Sequence, residues 1–307
     1  MQTVLLAGGT GLTGTALSQL LIQKGYRVVI LTRNGKRKGL PEYAVWNPDR
    51  GTIDRQAVEQ ADYIVHLAGA GVADKRWNTA RKKEILDSRV QSSALLVKAL
   101  AEIPNKVKAI IAASAIGWYG PDPSIPNPHP FVETDPSSPG FLGETCLKWE
   151  QSIDPVSGLN KRLVKFRTGL VLSREGGAFP EFRRPVNLGV AAILGNGNQV
   201  ISWIHIDDLC NLYLRAIEDD HLEGVYNAVA PTPVSNKALT LRLAKAVKSS
   251  FYIPLYVPAF IIKAMLGEMS IEVLKSTTVS ADKIRNTGFK FIYPTIEAAV
   301  GALTSGS

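Results

Sequence analysis

The chain has 307 residues, of which 45% are hydrophobic and 20% are charged, and its formal net charge is +8. This length suffices for a large buried core, and the absence of any run of about 18 apolar residues excludes a membrane-spanning class. Two cysteines and four histidines provide neither a disulfide framework nor a metal site. We expect a cytoplasmic protein without a metal or a membrane partner, and the scattered basic residues argue against nucleic acid binding.

The first 24 residues contain the strongest signal in the chain. Thr3–Ala7 is typical of a buried parallel strand rather than a secretion signal, and Thr15–Lys24 has apolar residues at helical spacing. Between them, Gly8 permits a tight turn, Gly11 lets the backbone approach phosphates, and Gly14 lets helix and strand pack closely.

Strand, turn and helix in this order predict a site for a dinucleotide pyrophosphate at the start of the helix. The alternative is a glycine-rich turn in an α/β protein that binds no cofactor. The residues of the turn that we expect to contact the cofactor are Gly8, Thr10, Gly11, Leu12, Thr13 and Gly14.

The second predicted strand, Arg27–Thr32, distinguishes between the two nicotinamide cofactors. In this fold an acidic residue near the strand end binds the ribose 2′-hydroxyl of NAD. Here Thr32 and Arg33 occupy that place, and a basic group, Lys36–Lys38, follows. A guanidinium can hold a 2′-phosphate through two hydrogen bonds, so the sequence predicts NADP. The alternative is an exposed basic turn.

Strand and helix patterns alternate along the rest of the chain. We predict further strands at 43–46, 62–67, 108–113, 162–172 and 224–229, and helices at 54–60, 76–100, 141–152, 203–218, 238–248 and 259–266. The stretch 121–139 contains seven prolines and is predicted to be a loop, and 176–198 is predicted to be irregular. The alternation predicts an α/β fold, a doubly wound parallel Rossmann sheet with a smaller C-terminal α/β lobe.

The domain boundaries follow from this pattern. We expect a Rossmann domain formed by residues 1–173 plus 201–230 and a substrate-side lobe formed by 174–200 plus 231–307.

Several motifs in this order resemble the extended short-chain dehydrogenase/reductase family. They are the glycine turn, Leu67-Ala68-Gly69, Ser114 followed by Tyr119-Gly120, and the segment Trp203–Leu209. Other stretches are similar to its atypical "epimerase family protein" subgroup, whose C-terminal part is a domain of unknown function. These stretches are Trp46–Asp54, Arg76-Trp77, Ser88–Val90, Trp149-Glu150 and Gly288–Pro294.

The resemblance implies NADP contacts at a defined set of positions. In this sequence they are Thr32, Arg33, Leu67, Ala68, Glu84, Arg89 and Val171. Ala68 and Gly69 are small enough at a strand end to let the backbone approach the cofactor ribose. The alternative for Glu84 and Arg89 is a pair on a solvated helix surface. Val171 has no reactive group and would only line the site.

The catalytic pattern of this family is missing. Its Tyr-x-x-x-Lys pair, aligned on Glu150, falls on Leu142 and Cys146, which cannot transfer a proton or hold a permanent positive charge. Ser114 and Tyr119 remain as candidate catalytic residues, although packing at the turn after the strand is the favoured alternative for Tyr119. His205 suggests a general base, but a structural, hydrogen-bonded histidine is favoured there.

Two hypotheses follow. The first is an NADP-dependent oxidoreductase or epimerase that acts on a small, unidentified carbonyl, hydroxyl or sugar-like compound, with the hydride chemistry supplied by the cofactor. The second is an NADP-binding sensor or interaction module without turnover. The missing pair favours the second hypothesis more than the family resemblance suggests, whereas the glycine turn and Arg33 are compatible with both, and the enzyme stays the first hypothesis.

Overall fold

The computed structural model describes residues 1–34, 39–249 and 251–305. Its strands are β1 (Thr3–Ala7), β2 (Arg27–Thr32), β3 (Glu42–Asn47), β4 (Thr52–Ile53), β5 (Tyr63–His66), β6 (Ala109–Ala115), β7 (Arg162–Thr168), β8 (Leu170–Leu172), β9 (Val190–Leu194), β10 (Val200–Ile201), β11 (Trp203–His205), β12 (Gly224–Ala228), β13 (Val234–Ser235) and β14 (Ile253–Val257). Its helices are α1 (Leu12–Gln23), α2 (Arg55–Gln60), α3 (Thr79–Glu102), α4 (Phe141–Ile153), α5 (Phe179–Asn187), α6 (Ile206–Glu218), α7 (Asn236–Lys248), α8 (Ala259–Leu266), α9 (Ser270–Leu274), α10 (Asp282–Asn286) and α11 (Ile296–Thr304).

An eight-stranded sheet in the order β12-β7-β6-β5-β1-β2-β3-β4 forms the centre of the molecule. All neighbouring strands run parallel except β3 and β4. The chain moves outwards from β1 to β3 and then resumes at β5 on the other side of β1. This reversal creates a crevice at the carboxyl ends of β1 and β5, where such sheets bind ligands. The predicted doubly wound parallel sheet is confirmed.

Alternate residues of β1 enter cores on opposite faces of the sheet. Val4 and Leu6 pack with α1 and α6, whereas Leu5 and Ala7 pack with α2 and α3, and all four side chains are fully buried. Helices on both faces therefore exclude water from the strands, as a parallel sheet requires.

A third apolar cluster lies outside this sandwich. It includes Phe179 and Val186 of α5, Leu239 and Leu243 of α7, and Val300 of α11. The two-lobe boundaries given above stay a prediction. In the described part of the chain, no helix combines the length and the apolar character that crossing a bilayer would need.

The stretch 176–198, predicted to be irregular, contains α5 and β9. Pro180 stands in the first turn of α5 and Pro185 inside it, which concealed the helix. Phe179, Phe182 and Val186 nevertheless recur at helical spacing and contribute to the third cluster, and this burial outweighs the interior proline. The prediction was wrong here because tertiary packing overrides local propensity.

The predicted strand 162–172 is divided at Gly169 into β7 and β8. A β-carbon on Gly169 would lie 2.7 Å from the carbonyl oxygen of Ser202, so the chain passes too close to its neighbour to hold a side chain there. β7 stays in the main sheet, whereas β8 pairs with β11. The helix predicted from 203 accordingly begins only at Ile206.

Candidate functional site

The glycine turn between β1 and α1 has the geometry that the sequence predicts. Gly8 has a φ of +83°, and a β-carbon there would lie 2.6 Å from the carbonyl carbon of Leu67. A β-carbon on Gly14 would lie 2.3 Å from the carbonyl oxygen of Gly8. The Gly11 amide donates a hydrogen bond to that same oxygen at 3.1 Å. Side chains at Gly8 and Gly14 would therefore push α1 away from β1 and the turn away from β5.

The start of α1 is open to an anion. The helix begins at Leu12, and its N-cap residue Gly11 has no side chain to accept from the first amides. Thr10 and Gly11 are exposed, and Leu12 and Thr13 are half-buried. The positive end of the helix and its free amides thus point out of the carboxyl edge of the sheet, which is an arrangement that binds phosphate.

The end of β2 presents a basic surface. The buried Thr32 hydroxyl accepts a hydrogen bond from the Asn34 amide at 3.1 Å, and the Arg33 side chain next to it is exposed. The pKa of the Glu84 carboxyl is lowered, first by its hydrogen bond to Arg81 and then by the charges of Arg81, Lys75 and Arg33. The predicted basic group Lys36–Lys38 lies outside the described residues.

Side chains of α3 hold the segment that follows β5. The Ala70 amide donates to the Ser88 hydroxyl at 2.9 Å, while the Arg89 guanidinium donates to the carbonyl oxygens of Ala70 and Ile85 at 2.9 and 2.8 Å. Arg81 donates to the carbonyl oxygen of Gly71. These bonds fix the backbone beside Leu67 and Ala68, where it faces the glycine turn.

Glu84 and Arg89 each have the alternative of a solvated position on the surface of α3, and this alternative holds for Glu84 only. Glu84 is exposed and forms an ion pair with Arg81 at 2.7 Å, rather than with Arg89. Arg89 is only 9% exposed, and the centre of its guanidinium lies 4.8 Å from the Trp149 ring. Gly69 leaves room for it, since a β-carbon there would lie 3.0 Å from the guanidinium carbon.

Arg89 lies close to the position where the family pattern has a lysine. That position is Cys146, whose thiol donates weakly to the carbonyl oxygen of Ala115 at 3.6 Å. Burial raises the pKa of the Cys146 thiol to about 12, and the nearby Arg89 charge opposes this rise. Burial also lowers the pKa of Arg89 from its very high ordinary value. A neutral thiol therefore lies beside a guanidinium that comes from a different helix.

Ser114 and Tyr119, the two candidate catalytic residues, belong to one buried polar network. The Ser114 hydroxyl donates to Glu150 at 2.7 Å, and Glu150 also accepts from Arg167 Nε at 2.8 Å. Arg167 Nη1 donates to the Tyr119 hydroxyl at 3.1 Å, and that hydroxyl donates to Asn227 Oδ1 at 2.7 Å. The network joins the ends of β6, β7 and β12 to α4.

The structure favours the packing alternative for Tyr119. Its side chain is fully buried and stacked on Phe131, with ring centroids 5.2 Å apart. Burial raises the pKa of the phenol to about 12, which leaves it a poor proton donor near neutral pH. Since the hydroxyls of Ser114 and Tyr119 both bond within the protein, we do not assign a proton-transfer role to either residue.

Sequence reasoning did not select Glu150 or Arg167 as members of this network. Both are almost completely buried, with 4% and 3% exposure. Arg167 stands within the apolar strand pattern of β7, and Glu150 follows a tryptophan on the buried face of α4. A charged residue at an apolar position in each of two adjacent elements was the signal that could have revealed the pair.

Val171 and His205 are the remaining residues that the sequence analysis singled out. Val171 pairs with Ile204 across β8 and β11, and its carbonyl oxygen lies 2.9 Å from a β-carbon built on Gly177. The Leu12 side chain also meets Gly177, so Val171 is brought towards the start of α1. His205 has the structural role favoured above, because its Nδ1 accepts the Asp207 amide at 3.1 Å and caps α6.

Replacing Tyr119 with phenylalanine is expected to leave the affinity for a nicotinamide cofactor within about twofold of wild type, because the hydroxyl contacts only protein groups. The free energy of unfolding should fall by about 1–3 kcal/mol, since Asn227 and Arg167 each lose a buried partner. Titration calorimetry and denaturant unfolding measure the two quantities. A large loss of cofactor affinity in a stable variant would show that the Tyr119 hydroxyl contributes to the cofactor site.

Comparisons with known proteins agree with this architecture. Residues 4–141 match the family model described as the NAD dependent epimerase/dehydratase family, and residues 257–303 match a domain of unknown function, DUF1731. The human epimerase family protein SDR39U1 is 32% identical over 304 residues, which cover 97% of this chain and 98% of the relative. The Mycobacterium tuberculosis epimerase family protein MT2273 is 33% identical over 305 residues, with 98% and 97% covered.

A solved structure extends the agreement to three dimensions. The crystal structure of human SDR39U1 isoform 2 with NADPH superposes with a TM-score of 0.86 at 30% identity, and the match covers 100% of both chains. The predicted resemblance is therefore confirmed. The chain belongs to the epimerase family proteins, which join an NAD dependent epimerase/dehydratase fold to a C-terminal DUF1731 domain.

Proposed function

We propose that this protein binds NADPH along the carboxyl ends of β1, β2, β5 and β6 and uses it as an oxidoreductase or epimerase. The glycine turn carries the proposal, because side chains at Gly8 and Gly14 would fill the space that brings α1, β1 and β5 together. The pyrophosphate would lie against the free amides at the start of α1. The related human protein, which was crystallised with NADPH, supports this choice of cofactor.

The 2′-phosphate would bind at the end of β2. Arg33 is exposed there, and the charges of Lys75 and Arg81 reach the same region because, together with Arg33, they lower the pKa of Glu84. Thr32 could add a hydroxyl to the site. The sequence places no carboxylate at the end of β2 to bind the ribose of NAD, so the charge at this edge suits NADPH.

The ribose and nicotinamide would lie beyond Leu67, Ala68 and Gly69, next to the Arg89 side chain. When bound, the nicotinamide exchanges a hydride with a substrate carbon. Arg89 would supply the positive charge that the family pattern otherwise draws from lysine, and Trp149 beneath it would hold the guanidinium in place. Cys146 stays protonated and neutral, because burial raises its pKa to about 12. Val171 would form an apolar wall.

The substrate class is a small carbonyl, hydroxyl or sugar-like compound. We place the protein in the cytoplasm, a proposal supported by the two buried free thiols, Cys146 and Cys210.

A second candidate is an NADPH-binding module without turnover. The observation that favours it is the buried network, because the Ser114 and Tyr119 hydroxyls both bond to protein groups within it. Titration calorimetry with NADPH, followed by a screen for NADPH oxidation against aldehydes, ketones and sugar nucleotides, separates the two. Binding with turnover supports the enzyme, binding alone shifts the weight to the module, and the absence of binding contradicts both.

Replacing Arg33 with alanine is expected to weaken NADPH binding by about 10- to 100-fold, because a charge-assisted hydrogen bond contributes about 1.5–3 kcal/mol. The affinity for NADH should change by less than about twofold, because that cofactor lacks the 2′-phosphate. Calorimetric titration of both cofactors gives the ratio. The exposed Arg285, which forms an ion pair with Asp282, provides the matched control R285A. An equal loss for both cofactors would refute the assignment of Arg33 to the 2′-phosphate.

A further inference from the structure

Exposed apolar side chains are concentrated in β14, α8 and the residues beside them, far along the chain from the glycine turn. Of the sixteen large apolar side chains that are exposed in the described residues, eight fall within 251–271. Phe251 is 86% exposed and Phe260 is 71% exposed. We call this set the C-terminal apolar face. Its members are Phe251, Ile253, Leu255, Tyr256, Phe260, Ile261, Met265 and Ile271.

The elements that carry this face are incompletely covered. β14 pairs with β9 in a two-stranded parallel sheet, yet four of its five residues are exposed. Parallel sheets are normally buried on both faces. In α8 only Ile262 is buried, whereas Phe260 and Met265 are largely exposed. Within the described chain, this strand and helix therefore expose apolar surface that an external partner could cover.

The charges around the C-terminal apolar face have a single sign. Residues 224–267 contain no aspartate or glutamate, whereas the same stretch contains Lys237, Arg242, Lys245, Lys248 and Lys263. Arg242 forms an ion pair with Glu297, and the Lys237 ammonium lies 6.0 Å from the Tyr256 ring centroid. Lys245 and Lys248 stand in the last turn of α7, just before β14 in the chain, and Lys263 stands in the last turn of α8. The Phe251 amide donates to the Lys248 carbonyl oxygen at 3.0 Å, so the end of α7 adjoins the start of the face.

The first two acidic residues that follow this stretch are already engaged. Glu268 forms an ion pair with Lys82, and Glu272 forms one with Lys275 at 2.7 Å. Among the described residues, no carboxylate forms an ion pair with Lys245, Lys248 or Lys263, so an external partner could neutralise their charge. A partner for this face needs apolar groups that cover the exposed side chains. It also needs negative charges at its surface that neutralise the lysines.

We infer that the C-terminal apolar face docks on the surface of an anionic phospholipid bilayer. Phe251, Phe260 and Met265 would enter the boundary between headgroups and acyl chains, while the lysines contact the phosphates. This docking is peripheral and requires no membrane-spanning helix. It departs from the expectation, drawn from composition, that the protein has no membrane partner.

Two features disfavour protein partners at this face. A second copy of the chain, placed face to face, would bring lysines against lysines with no acid in the stretch to separate them. Strand addition to the free edge of β14 is hindered by Pro254, which has no amide hydrogen to donate. A fluid bilayer does not need to pair with β14 in a fixed register. Its anionic headgroups can move to the lysines, so neither feature prevents it from binding.

Flotation of the full chain with phosphatidylcholine vesicles, with and without phosphatidylglycerol, tests the inference. We expect binding only when phosphatidylglycerol is present, with weakening as salt screens the lysines. F260A/M265A should reduce the partition coefficient by about tenfold or more through lost apolar contact. K245Q/K248Q/K263Q should reduce it by roughly fivefold for each charge removed.

The matched control is I22A/K24Q at the C-terminal end of α1, which changes an exposed apolar and an exposed basic residue elsewhere and should bind like wild type. Thermal unfolding shows whether each variant folds. If F260A/M265A does not fold, the lysine variant alone decides the test. Equal binding to neutral vesicles, or unchanged binding of a folded variant, overturns the inference. The absence of binding to vesicles with phosphatidylglycerol also overturns it. A dimer in sedimentation that F260A/M265A dissociates would then assign the face to a second copy.

Discussion

Replacing Glu150 with alanine is expected to lower the free energy of unfolding by about 3–5 kcal/mol, the usual cost of removing one partner from a buried ion pair. Glu150 accepts hydrogen bonds from Ser114 and from two nitrogens of Arg167. Without it, a guanidinium that is 3% exposed keeps its charge but loses its carboxylate. Urea unfolding followed by circular dichroism measures the change in stability directly.

Two further variants separate the ion pair from the general effect of shortening a side chain on α4. Glu144 lies exposed on the same helix, so E144A should cost less than about 1 kcal/mol. The double variant E150L/R167M removes both charges and should recover part of the loss, because neither charge is then left buried alone. If E150A proved as stable as E144A, the network would not hold the ends of β6 and β7 together.

The fold could be predicted from the sequence wherever burial follows a simple period. The bounds of β1, β2 and α8 agree with the prediction, and Asp54 caps α2 through the Ala57 amide as its place in the sequence indicates. The prediction was wrong where two distant segments determine the structure. Gly169 divides a strand because of Ser202, and α5 forms despite Pro185 because its apolar side is covered by α7 and β9.

The candidate site shows the same division. The glycine turn is a local motif, so its geometry could be predicted from seven consecutive residues, Gly8–Gly14. The contacts of Arg89 could not, because they depend on how α3 meets α4 and on the space left by Gly69. The network of Ser114, Glu150 and Arg167 likewise joins three different elements, β6, α4 and β7. Sequence reasoning found Ser114 but could not tell that its hydroxyl is bonded to Glu150.

The second large effect is expected at Gly14, where alanine should weaken NADPH binding by about a hundredfold or more. The new β-carbon would lie 2.3 Å from the carbonyl oxygen of Gly8 and 2.6 Å from the Gly9 α-carbon, and both are backbone atoms that cannot rotate away. The helix start must then move from the turn. Two amide–phosphate hydrogen bonds, at about 1.5–3 kcal/mol each, would be lost. Calorimetric titration with NADPH measures the loss.

Gly301 in α11 provides the matched control, because a β-carbon there would meet no atom within 4 Å. Both substitutions replace a helical glycine with alanine, a change that by itself stabilises a helix by about 0.5–1 kcal/mol. G301A should therefore be slightly more stable than wild type and bind NADPH equally well, whereas G14A should lose stability, by about 1–3 kcal/mol, from overpacking. A folded G14A that binds NADPH like G301A would show that the pyrophosphate does not lie on this turn.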